Sequence, residues 1–229
     1  MLYGIDISSW QEDIDLSPLP VDFVIVKATE GVTYVNPYFK KKADETLKLG
    51  KLLGVYHYAR ANDPEKEAQW FIDNIVPYMG IAIPVLDWEE NQDVNWVNRF
   101  VDYYKQKTGV WCWIYANPWR FNQGGVREDC DRWIASYPNV LRPGLDYDPG
   151  DVPKTDGVVC CWQYASDGQV SGYNGNLDIN HFYGDEKAWR SYAKGSPWSG
   201  DVTPTTPPAS KVSTLENDKY KVTIEDKES

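Results

Sequence analysis

No apolar run in this chain approaches the roughly 18 residues that a membrane-spanning helix needs, which excludes an integral helical membrane protein. Histidine is scarce, with His57 and His181 alone, and the four cysteines (Cys112, Cys130, Cys160, Cys161) form no C-x-x-C, so zinc and other metal sites are not expected. Cys112 and Cys160 lie inside apolar runs, where buried free thiols are found. Neither a P-loop nor a G-x-G-x-x-G occurs, so nothing supports a nucleotide cofactor. Positive charge is also short: 23 Lys and Arg stand against 34 Asp and Glu, a net −11. A surface that acidic argues against a nucleic-acid partner and against docking on anionic membranes. The opening residues Met1-Leu2-Tyr3-Gly4-Ile5-Asp6 lack the basic and apolar regions of a secretory signal.

What the chain does have is aromatic side chains, 11 Trp and 16 Tyr in 229 residues. It also has eight short β-rich apolar runs before residue 195: Leu2–Ile7, Phe23–Ala28, Leu52–Tyr58, Ile81–Leu86, Val110–Tyr115, Arg132–Tyr137, Gly157–Tyr164 and Asn176–Ile179. Between the early runs, 36–50, 65–78 and 92–107 have helical spacing, with Asn36-Pro37 and Asp63-Pro64 as expected helix starts. Near-continuous apolar strands alternating with helices indicate a buried parallel sheet. Eight strands in under 200 residues suggest a closed α/β barrel whose later crossovers have lost their helices, although an open doubly wound sheet fits the same pattern. Composition shifts near residue 195: 196–210 reads as a Pro/Thr-rich linker and 211–229 as a short tail with one strand, Tyr220–Ile224. The tail is too short to bury a core and is expected to be a truncated second module or a strand that docks elsewhere.

Carboxylates fall where a barrel places its chemistry, at strand C-termini: Asp6, then Asp87 and Glu89, then Asp178. Residues i and i+2 of a strand share a face about 6.6 Å apart, so Asp87 and Glu89 can converge on one bond. In a closed barrel the first and last strands are neighbours, which brings Asp6 beside Asp178. Clustered carboxylates cannot all ionise easily, and one with a raised pKa is what a general acid near neutral pH requires. Glycoside hydrolysis uses such a pair. Acids at strand ends also cap turns in solvent, and clustered acids also bind Mg²⁺ or Ca²⁺. Four acids on three strand ends beside aromatic residues, with no phosphate-binding element, favour the hydrolase. Tyr58, Tyr115, Tyr137 and Tyr164, at strand C-termini, are the rings expected to line a sugar-binding cleft.

Taken in order, Gly4-Ile-Asp-Ile-Ser-Ser-Trp-Gln11, Phe23-Val-Ile-Val-Lys-Ala-Thr-Glu-Gly31, Gly54-Val-Tyr-His-Tyr58, Pro84-Val-Leu-Asp-Trp-Glu89, Ile114-Tyr115, Trp133-Ile-Ala-Ser-Tyr137, Trp162-Gln-Tyr164 and Leu177-Asp-Ile-Asn180 resemble the glycoside hydrolase family 25 muramidases, the Chalaropsis-type lysozymes that include many phage endolysins. The resemblance covers residues 1 to about 185. It implies an irregular TIM-like (β/α)5(β)3 barrel over 1–195 and retaining cleavage of the β-1,4 bond between N-acetylmuramic acid and N-acetylglucosamine in bacterial peptidoglycan. It implies Glu89 as general acid/base and Asp87 as the residue that orients the N-acetyl group or stabilises positive charge. Asp6 and Asp178 would tune the cluster, and Lys27, Tyr58, Tyr115, Trp162 and Tyr164 would bind substrate. No cofactor is implied, and a monomer is expected. A phage lysin of this kind is expected to accumulate in the cytoplasm and meet the wall through a membrane pore, or else to be secreted by another route. The other readings are a chitinase-like hydrolase of N-acetylglucosamine polymers and a non-catalytic wall-binding barrel.

Overall fold

The computed structural model describes residues 1–195 and, further on, the backbone of two strands at 210–217 and 220–227. The barrel strands are β1 (Leu2–Ile7), β2 (Phe23–Glu30), β4 (Leu52–Tyr58), β5 (Ile83–Asp87), β6 (Trp113–Ala116), β7 (Arg132–Ala135), β8 (Val159–Gly168) and β9 (Leu177–Phe182). They are hydrogen-bonded in the order β1-β2-β4-β5-β6-β7-β8-β9, and β9 closes on β1, giving an eight-stranded barrel. A two-residue strand β3 (Tyr34–Val35) adds to the outer end of β2. Helices α1 (Phe39–Lys48), α2 (Pro64–Ile75), α3 (Val94–Thr108) and α4 (Pro118–Phe121) fill the crossovers after β2, β4, β5 and β6, and α5 (Glu186–Ala193) follows β9. The β1–β2 crossover carries only a 3-10 turn, Ser9–Gln11.

Two local expectations need correction. The sheet is not wholly parallel, because β9 runs antiparallel to both β8 and β1. The connection 169–176 is too short for the dozen or more residues of a parallel crossover, so the chain must turn straight back. Asn36 does not cap a helix either. Its side chain donates to the Lys27 carbonyl at 2.9 Å and accepts from the Tyr38 amide, and α1 begins at Phe39 without a side-chain cap. Asp63 does cap α2, accepting from the Lys66 amide ahead of Pro64.

Alternation sorts each strand into two faces. The outward residues, among them Ile5, Val24, Val26, Leu53, Val55, Leu86 and Ile114, form one core with Phe39, Phe71, Phe100 and Tyr104 of the surrounding helices. The inward residues form a second core at the strand N-terminal ends. There Phe23, Trp113 and Phe182 meet Trp189 of α5, which seals that end of the barrel. Gly4 is required beside this floor, since a Cβ would lie 2.4 Å from the Phe23 ring. Gly109 ends α3 with φ +77°, a conformation that a side chain resists. The four cysteines are buried and unpaired.

The Pro/Thr stretch expected as a linker lies outside the described residues, apart from Ser210, where β10 (Ser210–Asn217) begins. β10 pairs antiparallel with β11 (Tyr220–Lys227), so the expected strand at Tyr220–Ile224 has a partner upstream of it. The chain divides into two compact units, Met1–Trp198 and Ser199–Ser229.

Candidate active site

At the strand C-terminal ends the barrel interior turns from apolar to acidic. A cavity of about 290 Å³ opens there, lined by Asp6, Ser8, Trp10, Lys27, Tyr56, Tyr58, Asp87, Glu89, Tyr115, Trp133, Tyr137, Gln163 and Asp178. Strand register assembles it. Asp6 stands opposite Asp178, and Asp87 stands between Tyr58 and Tyr115. Asp178 begins β9 instead of ending a strand, and only the antiparallel direction of β9 puts it at this mouth. A larger hollow of about 420 Å³, lined by Tyr3, Leu145, Asp146 and Val170 among others, lacks converging acids.

Each buried carboxylate has its own environment. Asp6 accepts from Asn180 Nδ2 at 2.8 Å and from Gln163 Nε2 at 2.9 Å. Both amides are oriented from behind. Trp133 Nε1 donates to Asn180 Oδ1 at 2.7 Å, while the Tyr115 and Tyr137 hydroxyls donate to Gln163 Oε1 at 2.7 and 2.6 Å. With their oxygens occupied, both amides must present N–H groups to Asp6. Burial nonetheless raises Asp6 to about 6, against those two hydrogen bonds. Burial, then the charges of Asp6 and Glu89, raise Asp178 to about 8. Asp87 is pushed well above the carboxylate range by burial and next by the Glu89 charge, with Lys27 opposing. Its Oδ1 is buried and has no hydrogen-bond partner. Glu89 itself is exposed, one residue beyond Trp88.

The segment carrying Glu89 is braced. Arg120 of α4 donates to the Glu89 carbonyl at 2.5 Å and lies 5.1 Å over the Trp88 ring, and Trp88 Nε1 donates to the Gln92 carbonyl. On the opposite rim Tyr58 is held between two cations, Lys27 Nζ at 4.6 Å and the Arg60 guanidinium at 4.9 Å. Behind that rim the buried Glu67 accepts from His57 and from the amides of Arg60 and Asn62, which fixes the loop after β4.

Eight of the ten expected site residues therefore converge: Asp6, Lys27, Tyr58, Asp87, Glu89, Tyr115, Tyr137 and Asp178. Trp162 and Tyr164 do not line the cavity, contrary to expectation. In β8 the inward positions are Cys161 and Gln163, so 162 and 164 face outward. Trp162 Nε1 donates to the Ser136 carbonyl, and the Tyr164 hydroxyl donates to the Gly144 carbonyl with its ring 4.3 Å from His181. Gln163 and Asn180 were missed as site residues, although each lies two residues along its strand from an inward neighbour, Cys161 and Asp178. That period-2 parity was the available signal. Among the described residues no group of three or more His, Cys, Asp or Glu side chains is placed to hold a metal ion.

The acid pair makes stability depend on pH with a definite sign. Asp178 titrates near 8 in the folded barrel and near its ordinary 3.8 when unfolded, so between those values the folded state holds the extra proton. Its cost to stability is absent below about pH 4, grows with pH and is complete above about pH 8. Asp178→Asn should therefore raise the melting temperature at pH 8 and leave it nearly unchanged at pH 4. Equal shifts at both values, measured by calorimetry, would contradict this assignment.

The family model for Glycosyl hydrolases family 25 matches residues 5–173. The "Autolytic lysozyme" of Clostridium acetobutylicum is 31% identical over 192 residues, 78% of this chain, which spans only 55% of that relative's length. The "N,O-diacetylmuramidase" of Chalaropsis sp is 30% identical over 203 residues, covering 76% of this chain and 95% of the relative. Among solved structures, the catalytic domain of endolysin ply40 from bacteriophage P40 of Listeria monocytogenes superposes with a TM-score of 0.67 at 27% identity, covering 86% of this chain and 98% of that one.

Proposed function

The chain belongs to glycosyl hydrolases family 25, and on that premise we propose that it is a lysozyme that hydrolyses the β-1,4 bond between N-acetylmuramic acid and N-acetylglucosamine in bacterial peptidoglycan, with retention. The observation that carries the reading is the Asp87–Glu89 pair: a buried carboxyl with an unpartnered Oδ1 and, two residues on, an exposed carboxyl at the same mouth.

Glu89 gives its proton to the leaving glycosidic oxygen as the C1–O bond breaks. The substrate's own acetamide oxygen closes on C1, and Asp87 Oδ1 accepts the acetamide N–H, which stabilises the positive charge of the cyclic intermediate. Glu89, now a carboxylate, then takes a proton from the water that attacks C1 and reopens the ring. Asp178 and Asp6, held by Gln163 and Asn180, complete the acidic floor under the sugar. Tyr58, Tyr115 and Lys27 bind substrate at the walls. The likeness to a phage endolysin's catalytic domain supports a role in wall lysis.

Purified protein incubated with peptidoglycan should release fragments whose reducing ends are N-acetylmuramic acid, read by mass spectrometry. Glucosamine reducing ends would overturn the bond assignment. Cleavage of chitin but not peptidoglycan would select the chitinase-like reading, and wall binding without any release would select a non-catalytic barrel.

A further inference from the structure

Two tryptophans that follow strand C-termini, Trp10 after β1 and Trp119 after β6, stand largely in water. Trp10, which borders the acidic cavity, is 89% exposed, and Trp119 is 68% exposed. Each is carried on a short turn that its neighbours clamp. Around Trp10, the Ser8 hydroxyl accepts from the Trp10 amide, and the Gln11 side chain accepts from the Ser8 amide at 3.0 Å. Trp119 lies in α4, where Asn117 caps the Arg120 amide at 3.1 Å and Pro118 occupies the first position. Within α4 the side chains divide the work. Phe121 is buried, Arg120 reaches the Glu89 carbonyl, and Trp119 is left to solvent.

A fixed turn that presents an indole to water contributes little to the core, because the hydrophobic gain comes only from area removed from water. It suits a ligand with an apolar face. The barrel order places the two turns: going round the closed sheet, β1 and β6 are four strands apart in either direction. The turns that follow them therefore stand across the mouth from one another, with the carboxylates between.

We propose that Trp10 and Trp119 are sugar platforms at the two ends of a glycan groove that crosses the mouth from β1 to β6, selecting long glycan chains over short ones. The proposal rests on the glycoside hydrolase reading above. Pyranose rings carry C–H faces that stack on indole, and such contacts hold N-acetylated sugars without calling on their charge. The contact of Arg120 with the Glu89 carbonyl ties the turn that carries Trp119 to the segment that carries the proposed acid.

The test is calorimetric binding of peptide-free peptidoglycan strands of two, four and six sugars to Glu89→Gln protein, alone and with Trp10→Ala or Trp119→Ala added. Affinity should rise with chain length in the single variant. Each tryptophan replacement should cut the six-sugar to two-sugar affinity ratio about two- to tenfold, as expected for one aromatic contact, and Trp→Tyr should restore part of it. An unchanged ratio, or an equal loss for all three lengths, would overturn the proposal. Cleavage is measured separately with Glu89 intact. Length-dependent binding without cleavage would sink the hydrolase reading and keep the groove, whereas cleavage with length-independent binding would sink the groove alone.

Discussion

Glu89→Gln should lower kcat on peptidoglycan about 10²–10⁴-fold, the range that loss of a positioned proton donor commonly produces. Glutamine keeps the shape of the side chain and its exposure at the mouth, but it can neither protonate the leaving oxygen nor take the proton of the attacking water. KM should change far less, because the walls of the cavity that hold substrate are untouched. Asp87→Asn should be nearly as damaging for a different reason. An amide has no proton to give up as the positive charge of the cyclic intermediate develops, so it cannot become the anion that balances that charge, and it occupies a buried position whose Oδ1 is otherwise free for the substrate. Turnover of muropeptides by each variant, with circular dichroism to confirm folding, measures both effects. A loss under about tenfold at Glu89 would remove it from the acid/base role.

Trp189→Ala should cost about 3–5 kcal/mol of stability, the usual penalty for deleting a large buried aromatic side chain. Trp189 is fully buried and lies 4.6 Å from Phe23 and 5.2 Å from Phe182, with Trp113 at 5.5 Å, all between ring centroids. Its Nε1 donates to the Leu53 carbonyl at 3.1 Å, so truncation also orphans a buried acceptor. The loss should appear as a lower urea midpoint with an unchanged slope. Because the cavity lies at the opposite end of the barrel, kcat measured well below the melting temperature should stay near the wild-type value. A cost below about 1 kcal/mol would mean that α5 does not seal the barrel.

Much of this architecture was legible in the chain. The runs Leu2–Ile7 and Leu52–Tyr58 are strands with the expected limits, and Asp63-Pro64 starts a helix because a side-chain acceptor and a pre-set φ suffice locally. Asn36-Pro37 carries the same local signal and fails. There the asparagine is drawn to the Lys27 carbonyl of a neighbouring strand, a partner that no local pattern reveals. Trp162 and Tyr164 show the complementary limit. Their residue types suit a sugar cleft, but their strand parity faces them away from it, and Gln163 takes the inward place.

The sequence by itself determined the α/β class and offered the acids that line the mouth, because apolar periodicity and carboxylates near strand ends are properties of short stretches. Alternation also singled out Asp87 and Glu89 as a pair, although β5 ends at Asp87 and Glu89 lies just beyond it. Only the tertiary structure decided the rest. Closure of the barrel and reversal of β9 set Asp178 opposite Asp6, and burial together with nearby charge then raised the Asp6, Asp87 and Asp178 carboxylates by different amounts. Proton affinity depends on solvent exclusion and on charges brought together from distant parts of the chain, and neither exists until the strands have closed.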